Sequence, residues 1–188
     1  MRIISGSARG TRLTTFSGGG IRPTSDRVRT ALFSMLLSRI GTFDGKNILD
    51  ICSGSGALAI EALSRGAASA VCIDSALQAH KLIHSNSIRC HVEERLRIRR
   101  GSAQQALPEL VGKQFDVIFL DPPYGKNMVP AIIDLIAAAD LLATDGYICA
   151  EESSDYPLAL SNDKYTLEQQ RSYGGTTIYL YTTTETAS

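Results

Sequence analysis

The chain has 188 residues, 44% of them hydrophobic, and nineteen bases balance nineteen acids. Such a length supports one core without staples. Cys52, Cys72, Cys90 and Cys149 lack Cys-x-x-Cys spacing and His80, His84 and His91 have no matching partners, so reduced thiols and no metal centre are expected. No apolar run reaches the ~18 residues of a membrane helix, and the first residues carry arginines rather than a signal-peptide core. A cytoplasmic protein is expected.

Residues 2–5 and 11–15 read as a short hairpin across Gly6 to Gly10, followed by a Gly-rich loop from Phe16 to Gly20. Ser25 or Asp26 can cap a helix reaching about Ile40, with Val28, Leu32, Met35, Leu36 and Ile40 on its apolar side. Residues 1–40 hold seven arginines against the single acid Asp26, a net of plus six, which leaves minus six for the remainder. That asymmetry points to a polyanion at one end of the molecule. Guanidinium groups suit bidentate phosphate contacts and stacking on unpaired bases, whereas a solvated helix face with a few ion pairs is the plainer account of the same charges. Arg65 and the cluster Arg95, Arg97, Arg99 and Arg100 read as solvated.

An alternating core follows: strand 47–51, helix 57–65, strand 70–74, helix 76–89, strand 95–99, helix 103–110, strand 115–120, helix 128–139 and strand 146–151. This alternation implies a parallel sheet with helices on both faces. The tail, 165–171 and 176–181 across Ser172-Tyr173-Gly174-Gly175, has no helix between its strands and reads as an antiparallel hairpin.

Two strand ends carry chemistry. The first strand runs into Ser53-Gly54-Ser55-Gly56, whose glycines let backbone approach a ligand closely, with a helix N-terminus beyond. The next strand ends at Asp74, eighteen residues past Gly56, about where an acid grips ribose hydroxyls. The strand 115–120 ends in Asp121-Pro122-Pro123-Tyr124, where two prolines remove two N–H donors and leave carbonyls, a carboxylate and an aromatic face. Such a place accepts hydrogen bonds from a flat NH2-bearing group: Asp121 and the Pro122 carbonyl can take the two protons while Tyr124 stacks on a ring. Glu151, at the end of a later strand, is a candidate contact to a guanine edge, and Glu152 is the alternative.

These residues, with Arg2-Ile3-Ile4-Ser5-Gly6, Arg9-Gly10 and Ile21-Arg22-Pro23-Thr24-Ser25-Asp26-Arg27-Val28-Arg29, make the chain resemble the RsmD-type bacterial small-subunit rRNA guanine-N2 methyltransferases. These belong to the class I S-adenosylmethionine-dependent enzymes. The resemblance implies a Rossmann-like α/β fold with a seven-stranded, mostly parallel sheet and an antiparallel C-terminal hairpin. It divides the chain into an RNA-binding extension, 1–40, and a catalytic domain, 41–188. It implies S-adenosylmethionine held by Asp50, Ser53, Gly54, Gly56, Asp74, Ser102, Ala103 and Asp121, with Ser102 standing where many such enzymes carry an acid. Catalysis falls to Asp121, Pro122, Pro123 and Tyr124. RNA contact falls to Arg9, Arg12, Arg22, Thr24, Arg27, Arg29 and Glu151. The implied partner is 16S rRNA or an assembling small subunit, met by a monomer. An adenine-N6 methyltransferase, a non-catalytic rRNA-binding assembly factor and a nucleotide-dependent oxidoreductase are the competing readings.

Overall fold

Near-continuous apolar runs give each inner strand two buried faces, and helices cover both. The computed structural model describes residues 1–16, 26–159 and 162–184. Five parallel strands, β1 (Asn47–Ile51), β2 (Ser69–Asp74), β3 (Leu96–Arg100), β4 (Phe115–Leu120) and β5 (Leu142–Ser153), continue into the antiparallel pair β7 (Thr176–Thr183) and β6 (Tyr165–Tyr173). The order across the sheet is β3-β2-β1-β4-β5-β7-β6, so the expected parallel sheet with a closing antiparallel hairpin is present. The helices are α1 (Asp26–Ile40), α2 (Ala57–Ser64), α3 (Leu77–Arg89), α4 (Ala103–Ala106) and α5 (Met128–Ala138).

Ile48, Val117 and Phe119 join one apolar cluster with α1, α2 and α3, while their neighbours Leu49, Ile118 and Leu120 join a second cluster with α4 and α5. This is strand alternation expressed as two cores. The N-terminal segment shares the first of them. Phe33 of α1 lies 5.3 Å from Phe43 and 5.7 Å from Phe119, ring centre to ring centre, and burying a Phe or Leu side chain contributes roughly 1.5–3 kcal/mol.

The expected N-terminal hairpin is narrower than a two-stranded ladder: one bridge, Arg2 to Arg12, is flanked by Ile3 N–H to Thr11 O at 3.0 Å and Gly10 N–H to Ile3 O at 2.9 Å. Side chains of α2 replace the missing ladder. Buried Glu61 accepts from Ile4 N at 2.7 Å and Ser5 N at 3.0 Å, and Ser64 Oγ accepts from Ala8 N at 2.9 Å. The chain passes so close that a Cβ on Gly6, at φ +84°, would stand 1.8 Å from Ser64 O.

Two other expectations need correction. The helix expected over 103–110 ends at Ala106 and resumes as a 3-10 turn, Pro108–Leu110, because proline supplies no N–H and crowds the preceding turn. The strand expected over 146–151 runs from Leu142 to Ser153, and Asp145-Gly146 fall in the register shift between the Leu142 and Tyr147 pairings to β4, an irregularity that accommodates turn-forming residues inside the strand. Among the described residues no helix is long and apolar enough to cross a membrane.

Candidate active site

From β1 the chain steps outward through β2 to β3, then crosses to the other side of β1 with β4 and β5. The β1–β4 boundary is therefore the switch point where open α/β sheets bind ligands. Asp121 N–H reaches Ile51 O there, at a long 3.5 Å, so the two motif-bearing strand ends lie side by side.

The turn after β1 alternates left-handed residues: Cys52 at φ 62°, Gly54 at 55° and Gly56 at 74°. For Cys52 that conformation costs roughly 1–2 kcal/mol, which the surrounding hydrogen bonds offset. Ser53 Oγ donates to Asp50 O at 2.5 Å and Ile73 O at 3.2 Å, and Gly56 N–H donates to Ser53 O at 2.7 Å. Asp74 spans the turn and the start of α3, accepting from Gly54 N at 2.9 Å and from Ala76 N at 2.9 Å. Its oxygens keep lone pairs for further donors.

Asp50 is 1% exposed. One of its oxygens accepts from Ala59 N at 3.2 Å, while Oδ1 has no hydrogen-bond partner among the described residues. Burial, opposed by the Ala59 N–H and reinforced by the charge of Asp74, pushes its carboxyl up to about 7. Burial and the charges of Asp74, Asp50 and Asp121 push the neighbouring Cys52 thiol up to about 12, so it stays protonated and is no nucleophile at neutral pH. Three carboxylates from three strand ends thus bear on one place, an arrangement that suits a cation.

Beyond Asp121, Pro122 is buried, Pro123 exposed and Tyr124 half-buried. The Tyr124 hydroxyl donates to Glu151 Oε1 and lies 3.2 Å from Thr176 Oγ1. Burial and the Glu151 charge push the phenol above its ordinary range. Both glutamates are buried, but they do different things: Glu151 meets Tyr124, whereas Glu152 accepts from Gly125 N at 3.1 Å and Ser153 N at 2.8 Å and so fixes the turn. The ring of Tyr156, a 57% exposed residue that sequence reasoning missed, stands 3.0 Å from where a Gly125 Cβ would be, at the rim of this loop.

The family described as conserved hypothetical protein 95 matches residues 1–182. The chain belongs to this RsmD-type family. A Haemophilus influenzae family member named ribosomal RNA small subunit methyltransferase D is 31% identical over 183 residues, covering 96% of this chain and 93% of its own. A solved hypothetical protein of Thermus thermophilus superposes with a TM-score of 0.81 at 30% identity, over 96% of this chain and 98% of that one. A Salinibacter ruber RNA methyltransferase in complex with S-adenosyl-L-homocysteine gives 0.65 at 18% identity, over 89% and 97%, a likeness of fold.

The remaining residues expected to bind in this family member are scattered. Ser102 follows β3 and caps α4, its hydroxyl accepting from Gln105 N at 3.4 Å, with buried Ala103 next to it. Arg9, Arg12 and Arg27 are exposed, and Arg22 and Thr24 lie outside the described residues. Arg29 is a correction. It is fully buried, and Nη2 donates to Arg2 O at 2.6 Å and Asp26 Oδ1 at 2.7 Å, so its guanidinium holds the start of α1 against the first residues and offers no phosphate contact.

Asn86 gave no signal in the sequence, where a polar residue within α3 reads as part of a solvated face. It is fully buried. Its Nδ2 donates to Thr14 O at 2.9 Å and Ser55 O at 3.0 Å, and its Oδ1 accepts from Thr14 N at 2.9 Å, tying the N-terminal segment to the glycine turn. Two residues on, the Phe16 ring lies 3.8 Å from the place of a Gly54 Cβ. Asn86→Leu strands these backbone groups, each orphan costing about 1–3 kcal/mol. Thermal unfolding of the variant should show a melting point lower by on the order of 5–10 °C. An unchanged melting point would remove Asn86 from the clamp.

Proposed function

We propose that this chain transfers a methyl group from S-adenosylmethionine to the exocyclic N2 of a guanine in small-subunit (16S) rRNA. Residues 41–188 then form the catalytic part and 1–40 the RNA-facing extension, in a cytoplasmic protein acting on rRNA or on an assembling particle. The observation that carries this reading is the meeting, at one switch point, of a carboxylate-lined glycine turn with an acceptor loop whose tyrosine is pinned by Glu151. The name of the Haemophilus relative supports the same substrate class.

The turn fits the cofactor chemically. An orphaned Asp50 Oδ1 can accept from an ammonium, the lone pairs of Asp74 from ribose hydroxyls, and the left-handed glycines leave room for backbone approach. Bound there, the cofactor supplies a methyl group already activated on a sulfonium. The protein's task is then position and a preorganised surround rather than a strong nucleophile. Asp121 and the Pro122 carbonyl engage the two protons of the amine and orient its lone pair. As the nitrogen–carbon bond forms and the carbon–sulfur bond breaks to leave a neutral thioether, Asp121 stabilises the positive charge passed to nitrogen, and the proton lost afterwards goes to it or to water. Tyr124, fixed at its hydroxyl by Glu151 and Thr176, offers its face to an unpaired base.

Glu151 favours guanine over adenine. A carboxylate beside the stacking tyrosine can accept from guanine N1–H, whereas adenine N1 would face it with a lone pair. Incubation with methyl-labelled cofactor should therefore label 16S rRNA, and label appearing in duplex DNA instead would support the adenine-N6 alternative and contradict this reading.

The exposed arginines give a separate expectation. If Arg9 and Arg27 touch phosphates, Arg9→Ala with Arg27→Ala lowers the slope of log affinity against log salt by about 1.4 to 1.8, since each contact contributes about 0.7 to 0.9. Filter binding across a salt series checks this. An unchanged slope would assign these arginines to solvent.

A further inference from the structure

We propose that the groove between α1 and β6 carries the single-stranded RNA flanking the target base, a path on the C-terminal hairpin additional to the N-terminal arginines. It rests on the reading of the protein as an RNA methyltransferase. The groove, about 300 Å³, is lined by Ser34 and Ser38 of α1 and by Arg39, Gln169, Arg171 and Tyr173.

Its walls are held by Arg39, which donates to Glu168 Oε1 at 2.6 Å, Gln169 Oε1 at 2.6 Å and Met35 O at 2.9 Å, and so ties helix to strand with its charge matched. Arg171 is different: it is exposed and makes no ion pair among the described residues, and no acid lines the groove. The lining therefore has a net positive charge, complementary to phosphate, and the unmatched guanidinium, Arg171, belongs to the part of the chain that is acidic as a whole. Beside Arg171, Tyr173 is half-buried, its ring backed by the apolar cluster under α1. An aromatic side chain restrained in this way offers a face for a base at little further ordering cost. Ser34 adds an exposed hydroxyl, and Ser38 one helical turn on, which donates to Met35 O at 2.8 Å and accepts from Arg39 Nη1 at 3.2 Å, keeps a lone pair that can accept from a ribose 2′-hydroxyl.

Position connects the groove to the chemistry. Tyr173 pairs with Thr176 across the hairpin tip, and Thr176 Oγ1 is 3.2 Å from the Tyr124 hydroxyl, so the groove ends one tight turn from the stacking tyrosine. On the other side, α1 is shared with a second hollow of about 350 Å³ that includes Arg2, Arg9 and Thr30. A strand laid from Arg9 across the exposed face of α1 to Arg171 would end at the hairpin tip, beside the Thr176 that meets the stacking tyrosine. A peptide adding to the edge of β6 would use backbone groups and would not need this guanidinium, ring and hydroxyl set.

The test compares wild type, Arg171→Ala and Tyr173→Leu, the leucine keeping the apolar packing. The probe is a single-stranded RNA containing the target guanine with long or short flanks. With long flanks, Arg171→Ala should lower the salt slope by about 0.7, and Tyr173→Leu should weaken binding by roughly five- to tenfold or more with the slope unchanged, the scale of one lost base stack. Both differences should vanish with short flanks, and S-adenosylhomocysteine affinity should match wild type throughout. Wild-type affinity and slope in both variants on the long RNA would overturn the groove, while the Arg9 and Arg27 effects would still stand for the RNA reading. Failure of wild type to bind RNA at all would overturn both.

Discussion

Asp121→Ala is expected to lower turnover by about 10²-fold or more, the scale of removing one preorganised hydrogen-bond partner, while cofactor affinity changes little. Asp121 stands at the end of β4 beside the last residue of β1, where the amine and the methyl donor must meet. Its carboxylate is asked to do two things, to orient the lone pair by accepting a hydrogen bond from the amine and to stabilise charge on nitrogen. Asp121→Asn keeps an acceptor oxygen but loses the charge, so its rate should fall between wild type and the alanine variant. Single-turnover kinetics with calorimetry of cofactor binding separates the two effects. A folded alanine variant with wild-type turnover would remove Asp121 from catalysis.

Asp50 should impose a pH dependence of opposite sense on stability and on cofactor binding. Its carboxyl is raised from an ordinary 3.8 to about 7. Between those values the folded chain keeps a proton that the unfolded chain releases, so stability is highest at the acid end of the window and falls as pH rises through it. The full difference is about 4 kcal/mol by linkage. A cationic ligand favours the ionised carboxylate. Cofactor affinity should therefore rise with pH up to about 7, by at most about tenfold per unit, and level off above. Asp50→Asn should bind weakly with a flat profile over the same range. His80, whose ring nitrogen lies 3.0 Å from Asp74 O, is common to both proteins and cancels in the comparison. A profile of equal slope in wild type and variant would assign the titration to another group.

Much of this was legible because the periodic signals were strong. The runs Asn47–Ile51 and Phe115–Leu120 have the expected bounds, since each is an apolar stretch ended by a turn whose residues cannot continue a buried strand. The glycine turn and the proline-rich loop fall at their ends for the same reason. Residues acting over long chain distances were not legible. Arg29 counts as one more positive charge until Arg2 O and Asp26 are seen to enclose it. Glu151 and Glu152 are equivalent in sequence, and only Tyr124 and Gly125, 27 residues away in each case, tell them apart. Arg39 meets Gln169 across 130 residues, so no local pattern could have announced the groove between them. Asn86 was invisible because its partners, Thr14 and Ser55, are backbone groups, and backbone carries no sequence signal.

The most direct test of the central claim is mass spectrometry of nucleosides from 16S rRNA, free and in small-subunit particles, after incubation with the protein and isotopically labelled S-adenosylmethionine. Labelled N2-methylguanosine, absent when Asp121→Ala replaces wild type, is the expected product. Label in N6-methyladenosine, or equal N2-methylguanosine from the Asp121→Ala protein, would contradict the assignment of guanine N2 chemistry to this site.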